Sequence, residues 1–165
     1  GRLLCGRATK PRTRSCLRES VYELACKEGF AAVRRSTGET VGAGTQVLVG
    51  DTMGELLFLY ALADVAFVGG SLVPNGGHNL LEPAALGKPV LSGPHLFNFL
   101  EISAQLRDAG ALREVQDADQ LADAVGELWR DSAAAQRMRD AGLGVLKANQ
   151  GALQRLLTGL ARLLG

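Results

Sequence analysis

No apolar run in these 165 residues approaches the ~18 residues that a membrane-spanning helix needs, so no such span is predicted. Charge of neither sign prevails. The 18 Lys and Arg face 17 Asp and Glu, which removes any global argument for nucleic acid or an anionic membrane surface as partner. Cysteine is sparse: Cys5, Cys16 and Cys26 match no zinc-ligand spacing, and an odd number without pairing logic fits a reducing compartment. Histidine is scarcer still. His78 and His95 have no metal-ligand partners at a recognisable spacing, so no metal site is expected. Two phosphate motifs are also missing: there is no G-x-x-x-x-G-K-[ST], and no G-x-G-x-x-G following a strand. The chain begins at Gly1 rather than Met and carries no signal-peptide pattern, so the expectation is a soluble piece of something longer.

What is present suits one globular domain. Hydrophobic residues make up 47% and charged ones 21%, and a chain of this length can hide about 70% of its unfolded surface. Residues 1–19 read differently from the rest. They are rich in arginine, have little periodicity, and are expected to be an altered or disordered stretch. From Ser20 the pattern becomes regular. "SVYELACKEGF" predicts a short helix stopped by Gly29, "AAVRRS" a strand, and "TQVLVG" at 45–50 a buried strand. "TMGELLFLYALA" predicts a helix of about ten residues. "DVAFVG" at 64–69 predicts another buried strand, and residues 70–79 a glycine-rich loop. A short helix follows at 80–86, with Gly87 at its C′ position. Then come strand "PVLSG", helix "NFLEISAQLRDAG" and strand "ALREV", and from about Ala118 three helices with breaks near Asp131 and Asn149.

Apolar strands alternating with helices, without in/out alternation along the strands, predict a parallel sheet covered on both faces. That is an α/β, Rossmann-like domain with extra helices at its C-terminus. Ligands of such sheets lie beyond the carboxyl ends of the strands, where loops lead into helices. Both unusual stretches of this sequence lie there.

The first is "DTMGE" at 51–55. Thr52 and Glu55 have capping-box spacing, with the threonine accepting from the first helical turn and the glutamate reaching back. That leaves Gly54 unexplained, since a glycine inside the first turn costs about 1 kcal/mol relative to alanine. Cap and ligand contact both remain open for this stretch. The second is "GGHNLLEPAALG" at 76–87. Asn79 can be an N-cap with Glu82 at N3, but Pro83 would then fall at N4 and lose the first helical hydrogen bond. The free N–H groups of an imperfect helix start, with Gly76 and Gly77 giving close access, suit a phosphate or carboxylate. Glu82 can accept from paired ribose hydroxyls, and His78 is placed for an anion or a sugar. In "SGPHLFNF" at 92–99, Gly93 and Pro94 make a turn and Asn98 can cap the next helix.

The stretch "VGDTMGELLFLYALADVAFVGGSLVPNGGHNLLEPAALGKPVLSGPHLFNF" closely resembles the C-terminal half of bacterial 3-deoxy-D-manno-octulosonic acid (Kdo) transferases, and "NQGALQRLL" is similar to their tail. The resemblance covers about residues 20–164. It implies the C-terminal half of a two-domain GT-B glycosyltransferase of lipopolysaccharide synthesis, with residues 20–165 as the domain that binds the donor CMP-Kdo. It places nucleotide contacts on Met53, Gly54 and Glu55, and on Asn79, Leu80, Leu81 and Glu82, beside Gly77 and His78. It implies no cofactor and no metal. The lipid A precursor, the general base and a membrane anchor would belong to an N-terminal domain outside this chain, so no catalytic residue is expected here. The parent would work at the cytoplasmic side of the bacterial inner membrane, and this piece alone would be inactive.

Two departures stand out. The family often has proline where Leu80 stands, and its Pro-Arg-His-Pro-Glu-Arg loop is replaced by "KPRTRSCLRE", in which Pro11-Arg12 is out of step. Two other readings stay open: the donor domain of another GT-B enzyme that uses a UDP-sugar, and a non-catalytic module whose C-terminal helices bind a partner. The final helix, with leucines 153, 156, 157, 160, 163 and 164 at helical spacing, is also expected to drive self-association where it is exposed.

Overall fold

The computed structural model describes the backbone of residues 14–164 and the side chains of residues 20–149. Six helices and five strands alternate along this stretch: α1 (Arg14–Lys27), β1 (Ala32–Arg34), β2 (Val47–Val49), α2 (Leu56–Leu62), β3 (Ala66–Val68), α3 (Leu81–Ala85), β4 (Val90–Ser92), α4 (Leu100–Asp108), β5 (Leu112–Glu114), α5 (Ala118–Arg130) and α6 (Ser132–Leu164). A single 3₁₀ turn, Arg35–Thr37, follows β1. The expected order of elements is present. Helix α1 starts at Arg14, ahead of the Ser20 start that apolar spacing predicts, and Pro11-Arg12 lies outside the described residues.

Every strand pairing is parallel, in two ladders: β1 with β2, and β3–β4–β5 in that order. In the larger ladder Ala66, Val90 and Leu112 share a row, and Val68, Ser92 and Glu114 form the next row on that face. Phe67, Leu91 and Arg113 therefore point to the other side. Each face has its own core. On one side Val68, Val90 and Leu112 pack with Leu80, Ala84, Leu96 and Leu106. On the other, Leu91 and Val115 pack with Ala124, Leu128 and Ala135. Full burial of Leu80, Leu91 and Leu106 contributes about 2 kcal/mol for each side chain.

The helices follow from the same pattern. In α5, Leu121, Ala124, Val125 and Leu128 recur at helical spacing on the second core. Asp117 caps its start by accepting from the Gln120 N–H at 2.8 Å. Asp131 ends α5 and opens α6, accepting from the Ala134 N–H at 2.9 Å, so the predicted break is real. The predicted break at Asn149 is not: α6 continues to Leu164. There the Asn149 amide donates to the Val145 carbonyl one turn back and to Gln105 Oε1 of α4, both at 3.0 Å. The side chain that competes with helix elsewhere is absorbed by it here. Helix α6 also serves both faces, with Ala134, Ala135 and Met138 on one core and Ala141, Val145 and Leu146 on the other. The leucines of its last turns lie outside the described side chains.

Gly142 in α6 tests this packing. A Cβ there would meet Ala84 at 3.6 Å and Ala111 at 3.7 Å, ordinary contact distances. Gly142→Ala is expected to stabilise the chain by up to about 1 kcal/mol in urea unfolding, the helix-propensity gain. A loss of stability would mean that α6 sits closer to α3 than described.

Candidate functional site

Beyond the carboxyl end of β2 the chain makes a turn before α2. Asp51 opens the turn with its side chain 1% exposed. Its carboxylate accepts from Arg34 Nε at 2.9 Å, from the Ser36 N–H at 2.8 Å and from the Ser36 hydroxyl. Burial is the largest influence on this carboxyl and opposes its charge. The bonds from Ser36 and Arg34 together outweigh burial and hold its pKa below the usual value. At the other end of the turn, Glu55 accepts from the Thr52 hydroxyl and from the Arg35 guanidinium at 2.9 Å. The Thr52 bond is the larger cause of its lowered pKa, with Arg35 adding to it.

This arrangement corrects the capping-box expectation. Thr52 and Glu55 bond to each other through their side chains; Glu55 is the N-cap residue of α2 but makes no side-chain capping bond, and the helix starts only at Leu56 and has seven residues. Gly54 lies before the helix with φ +81°, a left-handed conformation that stops the helix from starting earlier. A Cβ on Gly54 would meet no atom within 4 Å, so its backbone is open. Met53 beside it is 63% exposed.

Beyond β3 the chain loops from Gly69 to Asn79. The Gly77 N–H donates to the Gly70 carbonyl at 2.9 Å and closes the loop. Ser71, fully buried, donates its hydroxyl to the Val68 carbonyl at 2.6 Å and accepts from the Gly93 N–H at 2.8 Å. The Ser71 carbonyl accepts from the His95 N–H at 2.9 Å. The loops after β3 and β4 are thus stitched to each other. This explains the paired glycines differently from the sequence. Gly76 and Gly77 have φ +88° and +73°. A Cβ on Gly76 would strike Asn98 and come within 2.7 Å of Phe97, and one on Gly77 would come within 2.6 Å of Leu96. Glycine is favoured at both positions by the left-handed φ, and side chains of the loop after β4 fill the space beside them, whatever else approaches. Asn98 rests its amide 3.5 Å from the Asn75 carbonyl and does not cap α4, whose N-cap is Phe99 without a side-chain bond.

Helix α3 is also more orderly than its sequence implies. Its N-cap position is Leu80, so Pro83 falls at N3, where a missing N–H loses no helical bond. The first helical bond is Ala84 N–H to the Leu80 carbonyl at 3.4 Å. Asn79 still does cap-like work one residue early: its Oδ1 accepts from the Leu81 N–H at 3.0 Å, which removes one of the free donors expected there. The Asn79 Nδ2 then donates to Glu82 Oε1 at 3.2 Å. The helix closes with the Gly87 N–H on the Ala84 carbonyl and the Lys88 N–H on the Pro83 carbonyl, a Schellman ending with Gly87 left-handed at φ +62°.

The residues singled out from sequence therefore fall in two places. Met53, Gly54 and Glu55 form the turn into α2, and Gly77, His78, Asn79, Leu80, Leu81 and Glu82 lead into α3. Helices α2 and α3 pack on each other. Leu80 is 0% exposed, backbone included, and packs in the first core. His78 is half-buried, with Nε2 shielded and without a protein partner, 3.2 Å from where a Gly70 Cβ would stand. What the sequence did not single out is the Arg34–Ser36–Asp51 cluster. Its only signal was a lone carboxylate after an apolar strand and "RRS" after its neighbour. Among the described residues no group of three or more His, Cys, Asp and Glu is arranged to hold a metal ion, and no helix is long and apolar enough to cross a membrane.

Comparison with known proteins gives the family and supports the fold. Residues 33–144 match the family model "Glycosyl transferases group 1". The chain is 49% identical over 138 residues to a 3-deoxy-D-manno-octulosonic acid transferase of Haemophilus influenzae, covering 83% of this chain and 32% of the relative. It is 43% identical over 138 residues to the enzyme of that name from Bordetella pertussis, with the same coverage. The chain thus spans about a third of the length of the curated relatives it matches. Among solved structures, the C-terminal CMP-Kdo binding domain of WaaA from Acinetobacter baumannii superposes with a TM-score of 0.78 at 39% identity, covering 82% of this chain and 70% of that one.

The Asp51 cluster yields a pH test. A carboxyl with a depressed folded pKa contributes stability above its unfolded pKa of about 3.9, and loses it as pH falls through the folded value. Asp51→Asn is expected to lower stability at pH 7 by about 2 kcal/mol and to flatten the loss of stability below pH ~4, as followed by urea unfolding across pH. Equal stability and equal acid slope for the two chains would contradict the assignment.

Proposed function

Since the chain belongs to the group 1 glycosyl transferases, we propose that it is the donor-binding domain of a Kdo transferase, holding CMP-Kdo where β2 and β3 end. The observation that carries this reading is the likeness to a solved CMP-Kdo binding domain over most of both chains. The roles follow from the local geometry. Met53 offers an exposed apolar side chain to the base. Gly54 offers open backbone. Glu82 accepts from ribose hydroxyls, since a carboxylate holding one Asn79 N–H keeps further acceptor positions. The Gly77 N–H is taken by the Gly70 carbonyl and the Leu81 N–H by Asn79, which leaves the backbone donors of His78, Asn79 and Glu82 to serve the phosphate. His78 Nε2, shielded and without a protein partner, faces the same loop. Leu80 is buried in the core, so leucine in place of the family's proline leaves the surface offered to the nucleotide unchanged.

In the parent protein the reaction joins Kdo to a lipid A precursor at the cytoplasmic face of the inner membrane. The acceptor and the general base belong to a domain outside this chain. Neither a metal nor a cofactor is called for, because backbone N–H groups can stabilise the charge that develops on the leaving phosphate. The 165 residues bind donor nucleotide without turning it over.

Titration of the chain with CMP by calorimetry tests this. Binding is expected, with UMP weaker, and Glu82→Ala is expected to weaken CMP about tenfold, the loss of one or two charge-assisted hydrogen bonds. Equal affinity for CMP and UMP, or an unchanged affinity in Glu82→Ala, would remove the assignment of Glu82 and weaken the case for this donor.

A further inference from the structure

We propose that Arg35 is a positioning residue for the nucleotide: it fixes the exit of the Asp51–Glu55 turn so that Met53, Gly54 and Glu55 present one shape to the donor. The inference rests on the CMP-binding reading and adds to it residues on which neither the fold nor the family resemblance places a nucleotide contact.

Gly54 forms the tip of the turn. Gly54 has φ +81° and open space around its Cβ position, so packing does not fix the tip. Its shape is set from its two ends. At the entry, Asp51 is buried and held by Arg34 Nε and by Ser36. At the exit, Glu55 is held by Arg35 and Thr52. Adjacent residues of a strand point to opposite faces, so two neighbouring arginines do not ordinarily reach the same turn. Here they do, because the backbone changes between them. Arg34 is extended at φ −103°, ψ 137°, and the 3₁₀ turn begins at Arg35. That turn is itself closed by the Thr37 hydroxyl on the Arg34 carbonyl at 2.9 Å, and by left-handed Gly38, whose N–H meets the Arg35 carbonyl at 3.3 Å.

The two pairs differ in what they do. The Arg34–Asp51 pair is largely buried and belongs to folding. The Arg35–Glu55 pair is 43% and 31% exposed, and exposed ion pairs contribute little to stability. Its use lies in the site. Two carboxylates, Glu55 and Glu82, border a place proposed for an anionic donor. The Arg35 guanidinium offsets the repulsion from Glu55 while holding its carboxylate in one orientation.

The test is a double-mutant cycle on CMP affinity and thermal unfolding in the 165-residue chain. Arg35→Ala is expected to weaken CMP about tenfold and to leave the unfolding temperature within about 2 °C of the parent chain. Arg35→Lys is expected to recover most of the affinity. In a Glu55→Gln background, Arg35→Ala is expected to change affinity less than twofold, because it acts through Glu55. Additive losses, or an Arg35→Ala affinity within twofold of the parent chain, would overturn the positioning role and leave the nucleotide reading standing. A parent chain that ignores CMP would overturn both.

Discussion

The site depends on one close contact between two loops. The chain leaving β3 and the chain leaving β4 run so near each other that side chains are excluded at three glycines. Gly93 lies on the Ser71 carbonyl, Gly76 on Asn98 and Phe97, and Gly77 on Leu96. The buried Ser71 hydroxyl and carbonyl join the two loops by hydrogen bonds. At Gly93 this packing has little give, because the Ser71 backbone cannot change rotamer to relieve a clash; at Gly76 and Gly77 the atoms met are side-chain ends, and the left-handed φ is what favours glycine. The segment from Gly77 to Glu82 takes its position from it, and with it whatever α3 presents to a ligand.

The opposite wall is built by other means. The Asp51–Glu55 turn has an unpacked tip and two carboxylates at its ends, each held by an arginine from the end of β1. One wall is thus set by steric exclusion and the other by charge and hydrogen bonds. Helices α2 and α3, which carry the two walls away from the site, pack on each other and keep them adjacent. The division has a functional logic. A rigid wall suits a phosphate held by backbone N–H groups, whose geometry must be fixed in advance. In the proposed reading the wall braced by ion pairs carries Met53 for the base, while Glu82 on the rigid wall takes the ribose.

Much of this was legible in the sequence, and the reason is the strength of the local signals. Apolar strands at 47–49 and 66–68 and the buried Val90–Ser92 strand, each followed by a loop and a helix, leave a parallel sheet as the natural reading. The position of both unusual stretches at carboxyl ends of strands followed from the same pattern. What was not legible depends on contacts between distant residues. The glycines at 76 and 77 read as room for a ligand, because the sequence does not show that residues 96–98 fold over them. Thr52 and Glu55 read as a capping box, because Arg35, twenty residues away, is what turns Glu55 elsewhere. Pro83 read as a defect until the N-cap position moved from Asn79 to Leu80. Asn149 read as a break, although the helix absorbs its amide.

The central claim is that these two walls face one nucleotide. A map of amide chemical-shift changes over the whole chain during CMP titration tests it most directly. The account predicts that residues 53–55 and 77–82 shift together with a single dissociation constant, while the far ends of the strands stay still. Shifts confined to one wall, shifts of the two walls at different CMP concentrations, or shifts centred on α5 and α6 would contradict it.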